Sequence, residues 1–212
     1  MIFALLPVKA PRNAKQRLSG FLTPAQREAL ARVMFEEVLA ALCAVKSIHQ
    51  IAVATSDNAV AQHARRAGAL VFEETEQRGH SHSADAAAQR AAELGATSVL
   101  MVPIDTPLVT VAEIESLLAA QETGVIIVPS ADGIGTNAMR HTPPGAIECR
   151  FGPGSFQKHC EQVRSKGLVL KVMRPPGLLF DIDTIEDVAE LLARAPDSRT
   201  AQLLRKQWTF AS

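Results

Sequence analysis

The run Val99-Leu-Met-Val-Pro-Ile-Asp-Thr-Pro-Leu108 opens on four apolar residues and ends at a lone acid, Asp105, held between two prolines. A continuous apolar run with such a stop suits a strand buried on both faces of a parallel sheet. Open α/β sheets bind ligands outside the carboxyl ends of their strands, so Asp105 stands where a metal or a nucleotide would sit.

Strands and helices alternate on either side of this run. Residues 2–8 form an apolar strand, followed by the loop Lys9–Gly20 with four basic residues and no acid. Thr23 caps a helix with Pro24 at its first position and Gln26 completing a capping box. Leu30, Val33, Met34, Val38, Leu39 and Leu42 follow at helical spacing. Ile51–Thr55 reads as a second buried strand, 57–67 as a short helix ended by Gly68, and 69–72 as a brief strand. An alanine-rich helix is expected near 84–94. Beyond the central run, Thr110 and Glu113 open another capped helix and Val125–Pro129 is a further strand. The glycine-bearing loop Ser130–Asn137 leads into 138–151, which reads as irregular. Ser155 is the expected cap of a helix over 156–166, and 168–173 a weak strand. After Pro175-Pro176-Gly177 come Asp181 and Asp183, a capped helix from Thr184 and a final helix. The pattern predicts one α/β domain over residues 1–212, a mostly parallel sheet with helices on both faces.

Lysine plus arginine balances aspartate plus glutamate at 22 each, so no net charge draws the chain to nucleic acid or to a membrane. No apolar run approaches a membrane span, and the N-terminal run is too short for a signal peptide. Cys43, Cys149 and Cys160 share no close-pair spacing and read as free thiols in a reducing cytoplasm.

Asp105, Asp181 and Asp183 each follow an apolar run. Clustered carboxylates at a sheet's carboxyl edge are hard oxygen ligands suited to magnesium, commonly held by one or two carboxylates plus substrate phosphates. Asp-x-Asp also occurs in turns, and Asp183 would equally serve as a dipole partner for the helix after it. The basic loop favours the chemical reading. Lys9, Arg12, Lys15 and Arg17 follow the first strand at the same sheet edge, and cations without interleaved acids suit a triphosphate. No Gly-x-x-x-x-Gly-Lys-Ser/Thr and no complete dinucleotide fingerprint occurs. Gly135-Thr136-Asn137 and Gly152-Pro153-Gly154-Ser155 offer amides and hydroxyls to an anion, the second at a helix N-terminus. His80-Ser81-His82 lacks a third metal ligand at a recognised spacing, so loop polarity is the simpler account. His63 and His159 fall in helices as surface residues, and the cysteines carry no role.

Taken in order, Pro7-Val8-Lys9, Lys15-x-Arg17-Leu18, Pro103-x-Asp105-x-Pro107-Leu108, Gly135-Thr136-Asn137, Phe151-Gly152-x-Gly154-Ser155-Phe156-x-x-His159 and Asp181-x-Asp183-Thr184-x-x-Asp187 resemble the 2-phospho-L-lactate guanylyltransferase family. That family includes phosphoenolpyruvate and 3-phospho-D-glycerate guanylyltransferases. It belongs with nucleotidyltransferases of the molybdenum-cofactor-guanylyltransferase-like, nucleotide-diphospho-sugar-transferase-like fold. The match runs from about residue 5 to about 190.

The resemblance implies a cytoplasmic enzyme moving GMP from GTP to a phosphorylated three-carbon acid, with release of pyrophosphate, in deazaflavin coenzyme biosynthesis. It implies magnesium (Mg2+) on Asp105, Asp181 and Asp183, and the acceptor's carboxylate on Thr136, Gly152 and Ser155. GTP would meet Lys9, Lys15, Arg17 and, beside the nucleoside, Ser83, with Asp105, Lys15 and Arg17 the catalytic groups. The chain departs from the family at Gly79-His80-Ser81-His82-Ser83, where a glycine-leucine-asparagine run is usual. The partners implied are GTP and a small phosphorylated acid, without nucleic acid or membrane, and a homodimer is left open. A nucleotidyltransferase for a sugar phosphate or molybdopterin, and a nucleotide-binding module without chemistry, are the competing readings.

Overall fold

The computed structural model describes residues 1–11, 14–75, 79–120 and 122–208, with residues 207 and 208 by their backbone alone. A single seven-stranded sheet organises them. The chain order is β1 (Ile2–Pro7), α1 (Pro24–Cys43), β2 (Gln50–Thr55), α2 (Asn58–Arg66), β3 (Leu70–Glu73), α3 (His80–Glu93), β4 (Ser98–Met101), α4 (Val111–Ala119) and β5 (Gly124–Pro129). It continues with β6 (Thr136–Thr142), α5 (Ser155–Ser165), β7 (Leu170–Val172), α6 (Pro176–Leu179), α7 (Ile185–Arg194) and α8 (Arg199–Trp208).

Spatially the strands run β3-β2-β1-β4-β6-β5-β7. All neighbouring pairs are parallel except those of β6, which is antiparallel to both β4 and β5. Both faces of the sheet are covered, which is why the strands read as unbroken apolar runs. Along β1, Ala4 and Leu6 enter one core cluster with Phe35, Val38 and Leu39 of α1. Phe3 and Leu5 enter the other, with Ala84, Ala87, Ala88 and Ala91 of α3. Burying each such leucine contributes about 1.5–3 kcal/mol. A third cluster joins Leu18, Leu30 and Met34 to Phe180, Ile182 and Leu191, so the segment carrying Asp181 and Asp183 is anchored by apolar residues on both sides of Asp181. No described helix is long and apolar enough to cross a membrane.

Three sequence expectations change. The first concerns 138–151, read as irregular, whose first residues belong to β6. This strand carries Arg140 and His141, both buried, which hide its apolar pattern. Arg140 is accommodated because its guanidinium donates to Ser98 Oγ at 2.9 Å and to the Leu118 carbonyl at 2.8 Å. It thereby satisfies a carbonyl left over at the end of α4. The second concerns α3, which begins at His80 rather than near 84 and so takes His80-Ser81-His82 into its first turn. The third concerns α5, where Ser155 is the first helical residue and Gly154, left-handed at φ 69°, occupies the cap position.

Topology then fixes where ligands belong. Beta-1 pairs with β2 on one side and β4 on the other, so the chain departs in opposite directions from adjacent strands. That is the switch point at which open α/β sheets hold ligands. Because β6 is antiparallel, it is the start of this strand, Thr136 and Asn137, that reaches the same edge.

Candidate active site

An open cleft of about 630 Å³ lies at this edge. It is lined by Lys9, Lys15 and Arg17 after β1, by Asp105 after β4, and by Asp181 and Asp183 before α7. Thr136 at the start of β6 and Gly152 and Ser155 at the start of α5 line it as well. Nine of the ten site residues named from sequence are thus brought together, from stretches far apart in the chain. Ser83 is the exception. It is buried, its hydroxyl donates to the Gly79 carbonyl at 3.1 Å, and it is not part of the cleft lining. Arg12 lies outside the described residues.

Lys15 is the hub of the charged side. Its ammonium donates to Asp105 Oδ2 at 3.1 Å and to Asp183 Oδ1 at 2.8 Å. Its side chain is only 6% exposed. The backbone there is left-handed, φ 53° and ψ 44°, alone among described non-glycine residues. That conformation costs about 1–2 kcal/mol for a residue with a side chain, and here it aims the ammonium inward between the two carboxylates. Burial alone would lower the Lys15 pKa, but the charges of Asp105 and Asp183 outweigh it and hold the ammonium above the ordinary lysine value. Arg17 is looser, its Nη1 3.6 Å from Asp183 Oδ2 on a side chain 75% exposed.

The carboxylates differ in consequence. Burial pushes Asp183 up, yet Lys15 and Arg17 bring it below the usual aspartate range. Asp181 stays above that range, through burial and the repulsion of Asp105 and Asp183, against the donor Asn137. Asn137 Nδ2 donates to Asp181 Oδ1 at 3.1 Å and to the Leu178 carbonyl at 2.9 Å. Its amide thus orients a carboxylate instead of facing an anion. Among the described residues no three His, Cys, Asp or Glu side chains converge closely enough to hold a metal by themselves. The donor set of hard oxygens under mutual repulsion fits a magnesium ion that arrives with phosphates and takes one or two carboxylates.

The lining drawn from residues 130–155 supplies neutral groups, Thr136, Gly152 and Ser155, along with one acid, Asp132. Ser155 Oγ is buried and has no hydrogen-bond partner. It stands in the first turn of α5, behind Gly152 and Gly154, which both adopt positive φ. The helix dipole there favours an anion, although the Ser155 and Phe156 amides already donate to the Gly152 and Ile134 carbonyls at 3.0 and 3.1 Å. Thr136 Oγ1 lies 2.9 Å from His159 Nδ1.

Three cleft features escaped the sequence reading. His159, expected at the surface, is fully buried beneath Thr136. Its spacing of four from Ser155 puts both on one helix face, which was the available signal. His80 lines the cleft with its ring edge-on to Phe151 at 4.7 Å between centroids. Burial lowers its pKa, which Asp105 raises and Lys9 lowers further. Ser81 Oγ accepts the Phe151 backbone N–H at 2.9 Å, and Asp85 Oδ1 that of Cys149 at 2.9 Å. The unusual His80–Ser83 segment is therefore a fastening for the loop that leads into Gly152.

Comparison with known proteins identifies the family. The family model described as guanylyl transferase CofC like matches residues 2–210. A phosphoenolpyruvate guanylyltransferase of Sphaerobacter thermophilus is 38% identical over 194 residues, 91% of this chain and 93% of that protein. A 3-phospho-D-glycerate guanylyltransferase of Colwellia psychrerythraea is 32% identical over 201 residues, 94% of each chain. A 2-phospho-L-lactate guanylyltransferase of Methanothermobacter thermautotrophicus is 30% identical over 206 residues, 96% of this chain and 89% of that one. Among solved structures, a Desulfovibrio desulfuricans protein assigned as a nucleotide-diphospho-sugar transferase superposes with a TM-score of 0.75 at 18% identity. It covers 97% of this chain and 94% of its own, and establishes the fold. The chain is a nucleotidyltransferase and belongs to the CofC-like guanylyltransferase family.

Proposed function

We propose that this enzyme transfers GMP from GTP to the phosphate of a three-carbon phospho-acid, with phosphoenolpyruvate as its acceptor, and releases pyrophosphate. The observation that carries the reading is the polarity of the cleft. Cations and carboxylates (Lys9, Lys15, Arg17, Asp105, Asp183) share one opening with neutral donors (Thr136, Ser155). The first suits a triphosphate with magnesium, the second a small carboxylate. The choice of phosphoenolpyruvate is supported by the 38% identity to an enzyme named for it, above the 32% and 30% to those named for the other two acids.

Lys9 and Arg17 bind the phosphate tail, and Asp105 and Asp183 hold magnesium, with Asp181 alongside. Bound there, the ion would neutralise charge on the phosphates. Thr136, Ser155 and the amides at Gly152 fix the acceptor's carboxylate, which turns its phosphate toward the nucleotide. A phosphate oxygen attacks the α-phosphorus, the α–β phosphoanhydride bond breaks, and pyrophosphate departs with that electron pair. The attacking oxygen is already anionic, so no general base is needed, and catalysis rests on alignment and charge neutralisation. The burial-lowered pKa values of His80 and His159 accord with that. By the family resemblance we assign the product to deazaflavin coenzyme synthesis.

The test is pyrophosphate release from GTP and magnesium with each of phosphoenolpyruvate, 3-phospho-D-glycerate and 2-phospho-L-lactate offered separately. Release with phosphoenolpyruvate well above the other two is expected. In Asp105→Asn turnover should fall about 100-fold or more while thermal unfolding stays near wild type. Wild-type rates in that variant would sink the metal assignment.

A further inference from the structure

His159 has a defined hydrogen-bonding polarity that reaches the cleft through Thr136. Its Nε2 lies 2.8 Å from the backbone nitrogen of Arg150. A backbone N–H can only donate, so Nε2 must present its lone pair. Burial, with Lys158 and Arg150 nearby, pushes the His159 pKa down to about 4, so the ring is neutral at physiological pH. A neutral imidazole carries one proton, and with Nε2 excluded that proton resides on Nδ1. The Nδ1–H therefore donates to Thr136 Oγ1 at 2.9 Å.

Thr136 then has one lone pair occupied and its own hydroxyl proton unassigned. That hydroxyl has no other hydrogen-bond partner among the described residues, and Thr136 lines the cleft. Its O–H is left to donate into the cleft, whose lining also includes Ser155 with its unpartnered hydroxyl. The ring that imposes this is locked. It is fully buried and edge-on to Phe151 at 5.5 Å between centroids. Phe151 is itself fastened through its backbone N–H to Ser81.

We propose that His159 is a positioning residue for the acceptor: by donating from Nδ1 it leaves the Thr136 hydroxyl proton to be donated toward an acceptor-only group, the carboxylate of the phospho-acid. This rests on the reading of Thr136 as part of the acceptor site. It predicts discrimination as well as affinity, because an acid whose corresponding group is itself a donor would leave the Thr136 hydroxyl proton unpaired.

Two substitutions separate positioning from packing. In His159→Gln the side-chain oxygen can still accept from the Arg150 N–H, but the donor to Thr136 is lost. In His159→Asn the side-chain nitrogen takes the place of Nδ1 and keeps the donor. The expected result with phosphoenolpyruvate is an acceptor KM raised about tenfold in His159→Gln, with kcat and the KM for GTP little changed, and substantial rescue in His159→Asn. In a Thr136→Val background His159→Gln should add nothing. Histidine-selective 15N NMR of the wild-type protein supplies a second readout, in which the resonances absent from His159→Gln should report the Nδ1–H tautomer.

An Nε2–H tautomer overturns the inference, whatever the acceptor reading. The Nδ1–H tautomer with an unmoved acceptor KM in both His159→Gln and Thr136→Val overturns it by removing Thr136 from the acceptor site. Equal losses in kcat and both KM values, without rescue by asparagine, would reduce His159 to packing.

Discussion

Lys15 and Asp183, 168 residues apart in the chain, meet at 2.8 Å. The same ammonium reaches Asp105 at 3.1 Å, so one buried cation neutralises two of the carboxylates assigned to magnesium. A metal ion entering this position has to compete with it. Lys15→Met should therefore bind magnesium more tightly in the absence of nucleotide, while losing turnover. Thermal unfolding with and without magnesium checks this. The variant's midpoint should rise with magnesium by several degrees more than wild type's, on the roughly 2–4 °C per kcal/mol expected for a chain of this size. Equal responses in the two proteins would contradict the shared-site account.

Gly177 sets the position of the segment leading to Asp181. Its N–H donates to Glu113 Oε1 at 2.7 Å. A Cβ there would stand 2.5 Å from Glu113 Oε2 and closer still to the Leu108 carbonyl oxygen. Backbone has to move, at a cost of about 1–3 kcal/mol. Since Asn137 binds the Leu178 carbonyl and Asp181 together, that movement should reach the carboxylate. Gly177→Ala should lower unfolding free energy by about 2 kcal/mol and weaken magnesium-dependent turnover. Denaturant titration at neutral pH checks the first, and wild-type stability would refute the clash.

Two buried histidines predict an acid limb. Burial lowers the pKa from 6.5 to about 4 at His159 and to about 3 at His141, whose ring nitrogens have no hydrogen-bond partner. Between those values and 6.5 the unfolded chain binds protons that the folded one refuses, so stability rises with pH through this window and levels off above 6.5. Each histidine contributes a slope approaching about 1.4 kcal/mol per pH unit. His141→Leu should remove one share of the slope without lowering stability at pH 7.5. An unchanged slope would show that His141 does not titrate this way.

The parts of the molecule legible in its sequence were those governed by local rules. Thr23, Thr110 and Thr184 each form the capping box that their spacing predicts. The apolar runs of β1, β4 and β5 mark buried strands because both sheet faces are covered. Strand β6 was hidden because Arg140 and His141 occupy it, and what allows them is tertiary: the end of α4 supplies carbonyls to Arg140. That Lys9, Asp105 and Asp183 line one cleft followed from strand order and motif resemblance. The bridge made by Lys15 did not, since it depends on a left-handed backbone that no lysine advertises. The surface reading of His159 failed similarly, because Thr136 and the Arg150 N–H, its two partners, lie in other segments.

The central claim is that a nucleotide's α-phosphorus is joined to the phosphate of a three-carbon acid. Phosphorus NMR of GTP, magnesium and phosphoenolpyruvate incubated with the enzyme reads that bond directly. The account predicts a new pair of mutually coupled resonances from a phosphoanhydride joining GMP to the acid's phosphate, together with inorganic pyrophosphate. GTP that persists with every one of the three acids, or that yields GDP and orthophosphate instead, would contradict it.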